Sequence, residues 1–170
     1  MTLKQKIRKY ITEIGGKLEK EPINPRWEFT FRFKFLPNIS ITVGKQKGKS
    51  AIEIYNPINL SEKHQNDFRR LEKEKQSTFI RELRKIIIDS NFESSANLNP
   101  RDGKRGSFLI LEKVFIENDS IPINEFYRSV KSVSFCSMKC ISFIQNQLDK
   151  GNDPSKDGYD VKDFKPYFDE

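Results

Sequence analysis

The sequence is poor in the residues and runs that mark several large classes of protein. Two of its 170 residues are cysteine, one is histidine, and its longest uninterrupted apolar run is about four residues, at 108–111. A membrane-spanning helix needs roughly 20 apolar residues, and two cysteines cannot build the disulfide framework of a small secreted protein. Residues 1–9 are polar and basic, without the apolar core of a signal peptide. We therefore expect a soluble, cytoplasmic protein.

Charge is distributed unevenly along the chain. Lys and Arg exceed Asp and Glu by 31 to 24, for a net charge of +7. Residues 151–170 carry a net charge of −3, so residues 1–150 carry +10. The last 20 residues also hold four aromatic side chains, which ordinary disordered linkers lack: Tyr159, Phe164, Tyr167 and Phe168. We divide the chain into one domain, residues 1–150, and an acidic-aromatic C-terminal tail, residues 151–170. Our hypothesis for the tail is that it folds back onto the basic domain.

The first residues predict an amphipathic helix. Apolar side chains recur at three- and four-residue intervals over residues 2–14, the spacing of a single helical stripe. Thr2 and Gln5 fit a capping box, and two glycines follow at positions 15 and 16. Because Leu18 falls on the same stripe, the helix is expected either to stop at the glycines or to run one turn past them.

From residue 26 the apolar period changes from 3.6 to 2, which is typical of half-buried strands. The first strand carries five alternating aromatic residues: Trp27, Phe29, Phe31, Phe33 and Phe35. Shorter alternating runs at 39–43 and 52–54 follow after brief loops, so the three strands are predicted to form an antiparallel meander.

The second half of the chain predicts two further helices and two further strands. Ser61 is a plausible N-cap for a long helix that reaches about Asp89. Strands are predicted near 91–96 and at 107–116, and a last helix from about residue 122 to 148. The predicted fold is α+β, with the order α-β-β-β-α-β-β-α: an antiparallel sheet of about five strands with three helices mainly on one face.

One segment looks like a phosphate-binding loop. Residues 44–50 follow a strand and end in Gly-Lys-Ser, but only three residues separate the glycines where a P-loop has four. A P-loop also needs a helix next, whose N-terminal amides complete the anion site, and residues 51–55 read as a strand. The pattern favours a lysine-rich hairpin loop.

The residues that most often carry catalysis or metals do not form a convincing set. His64 is the only histidine, and it lies in the polar half of the predicted second helix. Cys136 and Cys140 are four residues apart on the last helix, and two thiolates without further ligands make a poor zinc site. We predict a surface histidine, two core-facing cysteines, no catalytic residue, no metal and no cofactor, and therefore a protein that is not an enzyme.

Two surfaces could bind a partner. The aromatic strand is predicted to face the core rather than to stack nucleic-acid bases, which leaves a basic strip on the opposite face and the hairpin tip as a candidate for phosphate contacts. Its residues are Arg26, Arg32, Lys34, Lys45, Lys47 and Lys49.

The strand at 107–116 is apolar on both sides, with Phe108 and Ile110 pointing one way and Leu109 and Leu111 the other. If the helices cover one face, one pair stays exposed, and such patches usually mark an interface. We predict a homodimer or polypeptide contact there, through Phe108 and Ile110 or through Leu109 and Leu111. Coverage of the strand by the C-terminal tail is the main competing interpretation.

The order of elements and three packing motifs resemble the type III secretion chaperone-like (Tir-chaperone-like) fold, and more specifically an uncharacterised, mainly archaeal family of unknown function with that fold. The motifs are Trp27-Glu28-Phe29 through Phe35-Leu36-Pro37, Phe79-Ile80-Arg81-Glu82-Leu83 and Phe126-Tyr127-Arg128-Ser129-Val130. The resemblance covers about residues 2–149. It implies a small dimeric domain that binds a protein or peptide without a known active site; the secretion role does not follow, because fold does not fix function.

These observations predict a non-enzymatic, chaperone-like or adaptor-like homodimer that binds an extended polypeptide. The alternative is a nucleic-acid-binding module that uses the basic strip.

Overall fold

The computed structural model describes residues 1–19, 25–90, 93–97 and 106–149. The C-terminal tail and most of the predicted loop at 99–106 lie outside these residues. Within them the helices and strands follow in this order: α1 (Leu3–Glu13), β1 (Lys17–Leu18), β2 (Trp27–Leu36), β3 (Ile39–Gln46), β4 (Ala51–Asn59), α2 (Glu62–Arg70), α3 (Lys73–Ile88), β5 (Glu93–Asn97), β6 (Ser107–Phe115) and α4 (Ile123–Leu148).

The strands form one antiparallel sheet in the order β1-β2-β3-β4-β6-β5, so the α+β prediction is confirmed. The strand that the sequence did not predict is β1, which has two residues. Gly15 adopts a positive φ of 78° after the end of α1, so the predicted stop at the glycines is confirmed and the alternative, an extra helical turn through Leu18, does not form. Lys17 and Leu18 instead pair with Lys34 and Phe33 at the sheet edge.

The structure describes four helices where the sequence predicted three, because the long second helix is broken. Leu71 and Glu72 have extended backbones, with ψ of 144° and 148°, and the side-chain amide of Gln76 donates to the Leu71 carbonyl at 2.8 Å. The break turns α3 relative to α2 and brings the rings of Phe68 and Phe79 to 5.3 Å between centroids. Both rings are buried. This ring packing is formed at the break, where the sequence predicted that one helix would continue through a polar segment.

All four helices lie on one face of the sheet. The longest, α4, packs against β3, β4 and β6; α1 lies beside it near β1 and β2, while α2 and α3 pack along its other side. Tyr10 of α1 donates its hydroxyl proton to the Ile121 carbonyl at 3.2 Å, which joins α1 to the start of α4. Among the described residues, no helix combines the length and apolar character needed to cross a membrane.

The aromatic residues of β2 face the core as predicted, with one exception. Phe29, Phe31 and Phe33 are buried, and Phe35 packs edge-on against Tyr127 of α4. A β-bulge between Trp27 and Phe29 changes the alternation, because two residues of β2 then oppose one residue of β3. Trp27 therefore lies on the opposite face from the phenylalanines, and its predicted place in the core row is wrong.

Candidate functional site

The candidate site is the sheet face that no described helix covers, which we call the open face. Residues directly opposite one another on paired strands project to the same side, so the register assigns each side chain to a face. The larger apolar and aromatic side chains of the open face are Trp27, Tyr55, Pro57, Leu109, Leu111 and Phe115.

Strand β6 divides its four consecutive apolar residues between the two faces. Phe108 and Ile110 are buried beneath the helices, with 2% and 0% of their surface exposed. Leu109 and Leu111 are half-buried on the open face. Phe108 and Ile110 therefore cannot serve as partner contacts, because the helix layer already covers them. The predicted contact set is reduced to Leu109 and Leu111, and the contact itself stays a prediction.

Phe115 extends this apolar surface and was not among the predicted contact residues. It is 68% exposed at the end of β6, opposite Ala51. Alternation places Phe115 on the same face as Leu109 and Leu111, with the exposed Lys113 between them. The sequence does contain a signal for Phe115: the two-residue alternation of Leu109 and Leu111, continued along β6, reaches position 115.

Trp27 and Tyr55 give the open face an ordered aromatic centre. Their ring centroids are 5.9 Å apart, and the indole lies directly over Gly44 of β3. A Cβ atom at Gly44 would lie 2.4 Å from Trp27 Cε3, so glycine is required for this close approach. Burial raises the pKa of the Tyr55 hydroxyl above its ordinary value, and the Glu53 carboxylate raises it further.

Gly44 therefore has a packing role rather than the phosphate-binding role that its motif suggests. Residues 44–46 are the last three of β3, residues 47–50 form the turn with Gly48 at a positive φ of 73°, and β4 follows instead of a helix. A lysine-rich hairpin is therefore confirmed, but its loop is shorter than the predicted one.

The six basic residues of the predicted strip do not form one continuous surface. Arg32 forms an ion pair with Glu19 at 3.0 Å, and Lys34 lies opposite Lys17 at the β1 edge. Lys45 forms an ion pair with Glu28 and is opposite Ile52 in the register, on the helix-covered side.

The other three basic residues lie at the opposite end of β2. Lys47 and Lys49 are exposed in the hairpin loop, and the Lys47 amide donates to the Arg26 carbonyl at 3.2 Å. Eight residues separate Arg26 from Lys34, which is about 26 Å along a strand. The basic residues therefore form two separate groups at opposite ends of β2. Arg32 and Lys34 form one group, and Arg26, Lys47 and Lys49 form the other.

His64 joins two helices. Its Nε2 atom lies 3.2 Å from Oδ2 of Asp149, the residue that ends α4, and Lys63 donates to the other carboxylate oxygen. The hydrogen bond from Lys63 is the main reason that the pKa of Asp149 falls below its ordinary value. Within the described residues, no three His, Cys, Asp or Glu side chains form a group suited to a metal ion.

Cys136 and Cys140 are buried in the core, as predicted. The hydrogen bond with Cys140, together with one from Ser90, lowers the pKa of Cys136 to about 7 against the opposing effect of burial. The same contact and burial raise the pKa of Cys140. The pair fills space between α4 and the end of α3.

Comparison with known proteins places this architecture in a family. A family model described as an uncharacterized conserved protein (DUF2299) matches residues 3–144. The chain belongs to the DUF2299 family. The open face and all of the helix layer except the last turn of α4 fall inside this match, whereas the C-terminal tail lies beyond it. No curated protein matches the sequence.

Two solved structures are similar to the DUF2299 chain. The crystal structure of an uncharacterized protein from Methanothermobacter thermautotrophicus has a TM-score of 0.75 at 21% identity, over 86% of this chain and 99% of that one. The crystal structure of YbjN, a putative transcription regulator from E. coli, has a TM-score of 0.54 at 10% identity, over 87% and 94%. At these identities the likeness is one of fold. The predicted resemblance to an uncharacterised family is confirmed by the family match, and one structural neighbour comes from an archaeon, while the secretion-chaperone likeness stays a resemblance.

Proposed function

We propose that this DUF2299 protein is a non-enzymatic, polypeptide-binding module that forms a homodimer through the open face. The observation that carries the proposal is the one-sided sheet: all four described helices cover one face, and the other presents Leu109, Leu111 and a 68%-exposed Phe115 around an aromatic centre. Exposed apolar surface of this extent on a sheet usually marks an interface.

The size of the open face suits a pair of identical chains. The five longer strands, four of eight to ten residues and β5 of five, lie about 4.8 Å apart and make a face of roughly 650 Å². A stable interface buries about 800 Å² per partner, and two copies of one surface pair naturally about a two-fold axis. Arg32 is exposed on β2, toward one edge of the sheet, as charged residues are at the rim of an interface.

The non-enzymatic part of the proposal is supported by how the titratable residues are used. His64 and Asp149 hold the first turn of α2 against the end of α4, and the cysteines pack inside the core. Each group that would be the first candidate for catalysis thus has a structural role. Cytoplasmic location stays a prediction.

Nucleic-acid binding is the second candidate, and one observation favours it: Arg26, Lys47 and Lys49 gather at the hairpin end of the sheet. The name of YbjN mentions a role in transcription, which is consistent with it. Five of the six basic residues are divided between two ends of the sheet and Lys45 lies on the other face, which makes this the weaker candidate.

The decisive measurement is the mass in solution by light scattering, over micromolar to hundred-micromolar protein. We expect twice the 20.0 kDa chain mass for the unchanged protein. Leu111→Asp and Phe115→Asp should each give monomers, because a buried, unpaired carboxylate is costly at an interface. Ile88→Asp is the matched control, since it introduces the same charge at a 63%-exposed apolar residue on the helix side.

A monomeric unchanged protein at every concentration would contradict the dimer. Polypeptide binding is checked separately with a permanently unfolded, carboxymethylated protein as the probe. If single-stranded RNA binds instead, and binding is lost in Lys47→Glu/Lys49→Glu and falls steeply with salt, the nucleic-acid candidate replaces the proposal.

A further inference from the structure

The helix side of the molecule carries a second unusual surface, along α3. A groove of about 650 Å³ is lined by residues that recur at three- and four-residue intervals on one side of this helix: Ser77, Ile80, Arg81, Arg84, Lys85 and Ile88. We call this surface the α3 groove. It is distinct from the buried side of α3, which carries Phe79, Leu83 and Ile87.

The α3 groove combines apolar and basic groups. Ile88 is 63% exposed, although burying an isoleucine side chain is favourable in free energy. Arg81 pairs with the neighbouring Glu82 at 3.4 Å, whereas Arg84 and Lys85 have no ion-pair partner in the part of the chain that the structure describes. A ligand that fits this surface would be negatively charged and would offer apolar or aromatic groups.

The C-terminal tail has that chemistry. Residues 151–170 contain six carboxylate side chains, a net charge of −3 and four aromatic residues, among them Phe164 and Phe168. Acidic and aromatic residues alternate closely over residues 157–169, so both kinds of group are presented within a few residues of each other.

The position of the end of α4 also suits this contact. Phe79 packs against Phe143 at 5.1 Å between centroids, and Ser90, which follows α3, lies near Cys136 of α4, so α3 and α4 run antiparallel. The tail follows Asp149, which lies six residues past Phe143 and contacts Lys63 and His64 of α2 on the helix side of the molecule. The α3 groove is about 17 Å long, whereas 20 residues reach up to about 65 Å when extended.

We propose that the C-terminal tail docks in cis along the α3 groove, with carboxylates on Arg84 and Lys85 and a phenylalanine against Ile80 and Ile88. The contact goes beyond the dimer proposed above, because it lies on the helix side and leaves the open face uncovered. It also assigns the tail a place other than the exposed side of β6.

The test uses zero-length carbodiimide crosslinking of the full chain, which joins a lysine ammonium to a carboxylate only where the two are in contact. We expect crosslinks between Lys85 and the tail peptide containing Asp157, Asp160 and Asp163. They should be lost in Ile88→Asp and in Phe164→Ser/Phe168→Ser, and they should weaken at high salt. Leu111→Asp is the matched control and should retain them.

Three other results would each overturn the proposal. Crosslinks from the tail to Lys34 or Lys113 instead would place it on the open face. Crosslinks that join isotopically labelled to unlabelled chains in a mixed sample would show a contact in trans. Absence of tail crosslinks under conditions where the Lys63–Asp149 pair couples would show that the tail does not dock. None of these bears on the mass measurement, in which Ile88→Asp stays a dimer.

Discussion

The two faces of the sheet differ in how completely their apolar side chains are buried. On the covered face, strand residues such as Ile54 and Ile110 are completely buried by four helices. On the open face, Trp27 and Tyr55 cover each other and Gly44, and Leu109 and Leu111 stay half-exposed. The covered face thus gains its stability within one chain, whereas the open face leaves apolar surface that no described helix covers.

The largest difference in the free energy of unfolding is expected between substitutions of two neighbouring β6 residues that lie on different faces of the sheet. Phe108→Ala removes a ring that is 2% exposed and leaves a cavity, which costs about 3–5 kcal/mol of unfolding free energy. Leu109→Ala, one position along the strand, should cost only about 1 kcal/mol. Urea unfolding of both variants measures the difference.

Protein concentration sharpens this comparison. Because a dimer gains stability by mass action, the cost of Leu109→Ala should depend on protein concentration, and the cost of Phe108→Ala much less so. Equal costs for the two substitutions would mean that the open face is packed as tightly as the core.

A smaller effect is expected at the aromatic centre of the open face. Gly44→Ala places a methyl group against Trp27, which must shift, at a cost of about 1–3 kcal/mol. Trp27 is the only tryptophan, so its fluorescence reports the shift directly, alongside urea unfolding.

The sign of this effect should reverse when the indole is absent. In a Trp27→Ala background, Gly44→Ala should stabilise by about 0.5–1 kcal/mol, because alanine costs less backbone entropy than glycine in a strand. If Gly44→Ala destabilises both backgrounds equally, the requirement for glycine comes from the strand and not from Trp27.

Most elements of the covered face could be predicted from the sequence, because periodicity alone identifies them. The stripe in α1 and the alternation of Phe29, Phe31 and Phe33 each gave the correct element and the correct side. The break at Leu71 could not be predicted, since an apolar residue there fits a continuous helical stripe equally well. Only the packing of Phe68 on Phe79 distinguishes the two arrangements.

The open face was harder to predict because face assignment depends on register. A strand that is apolar on both sides, such as β6, does not reveal which of Ile110 and Leu111 meets the helices. Pairing with β4 decides it, by placing Leu111 opposite Tyr55 and Ile110 opposite Asn56. Trp27 was assigned to the wrong face for the same reason. The bulge adds one residue to β2 and moves Trp27 to the other face, although the aromatic alternation in the sequence is unbroken.

The smallest effect is expected at the polar joint between α2 and α4 on the covered side. The hydrogen bond from Lys63 lowers the pKa of Asp149 below 3.8, so the ionised carboxylate is favoured in the folded protein. Its contribution to stability is therefore present above that pH and is lost as pH falls through the lowered pKa. Both side chains are largely exposed, so the effect should be smaller than either effect above.

A double-mutant cycle with Lys63→Met and Asp149→Asn isolates the pair by urea unfolding. The cycle is needed because the negative charge of Asp149 at the end of α4 also interacts unfavourably with the helix dipole. This cost is the same with Lys63 present and in the Lys63→Met background, so it cancels in the coupling energy. The coupling should be favourable at pH 6, weaker at high salt, and absent once Asp149 is protonated. A coupling that is unchanged at pH 2 would mean that packing of the lysine chain, rather than the ion pair, joins α2 to α4.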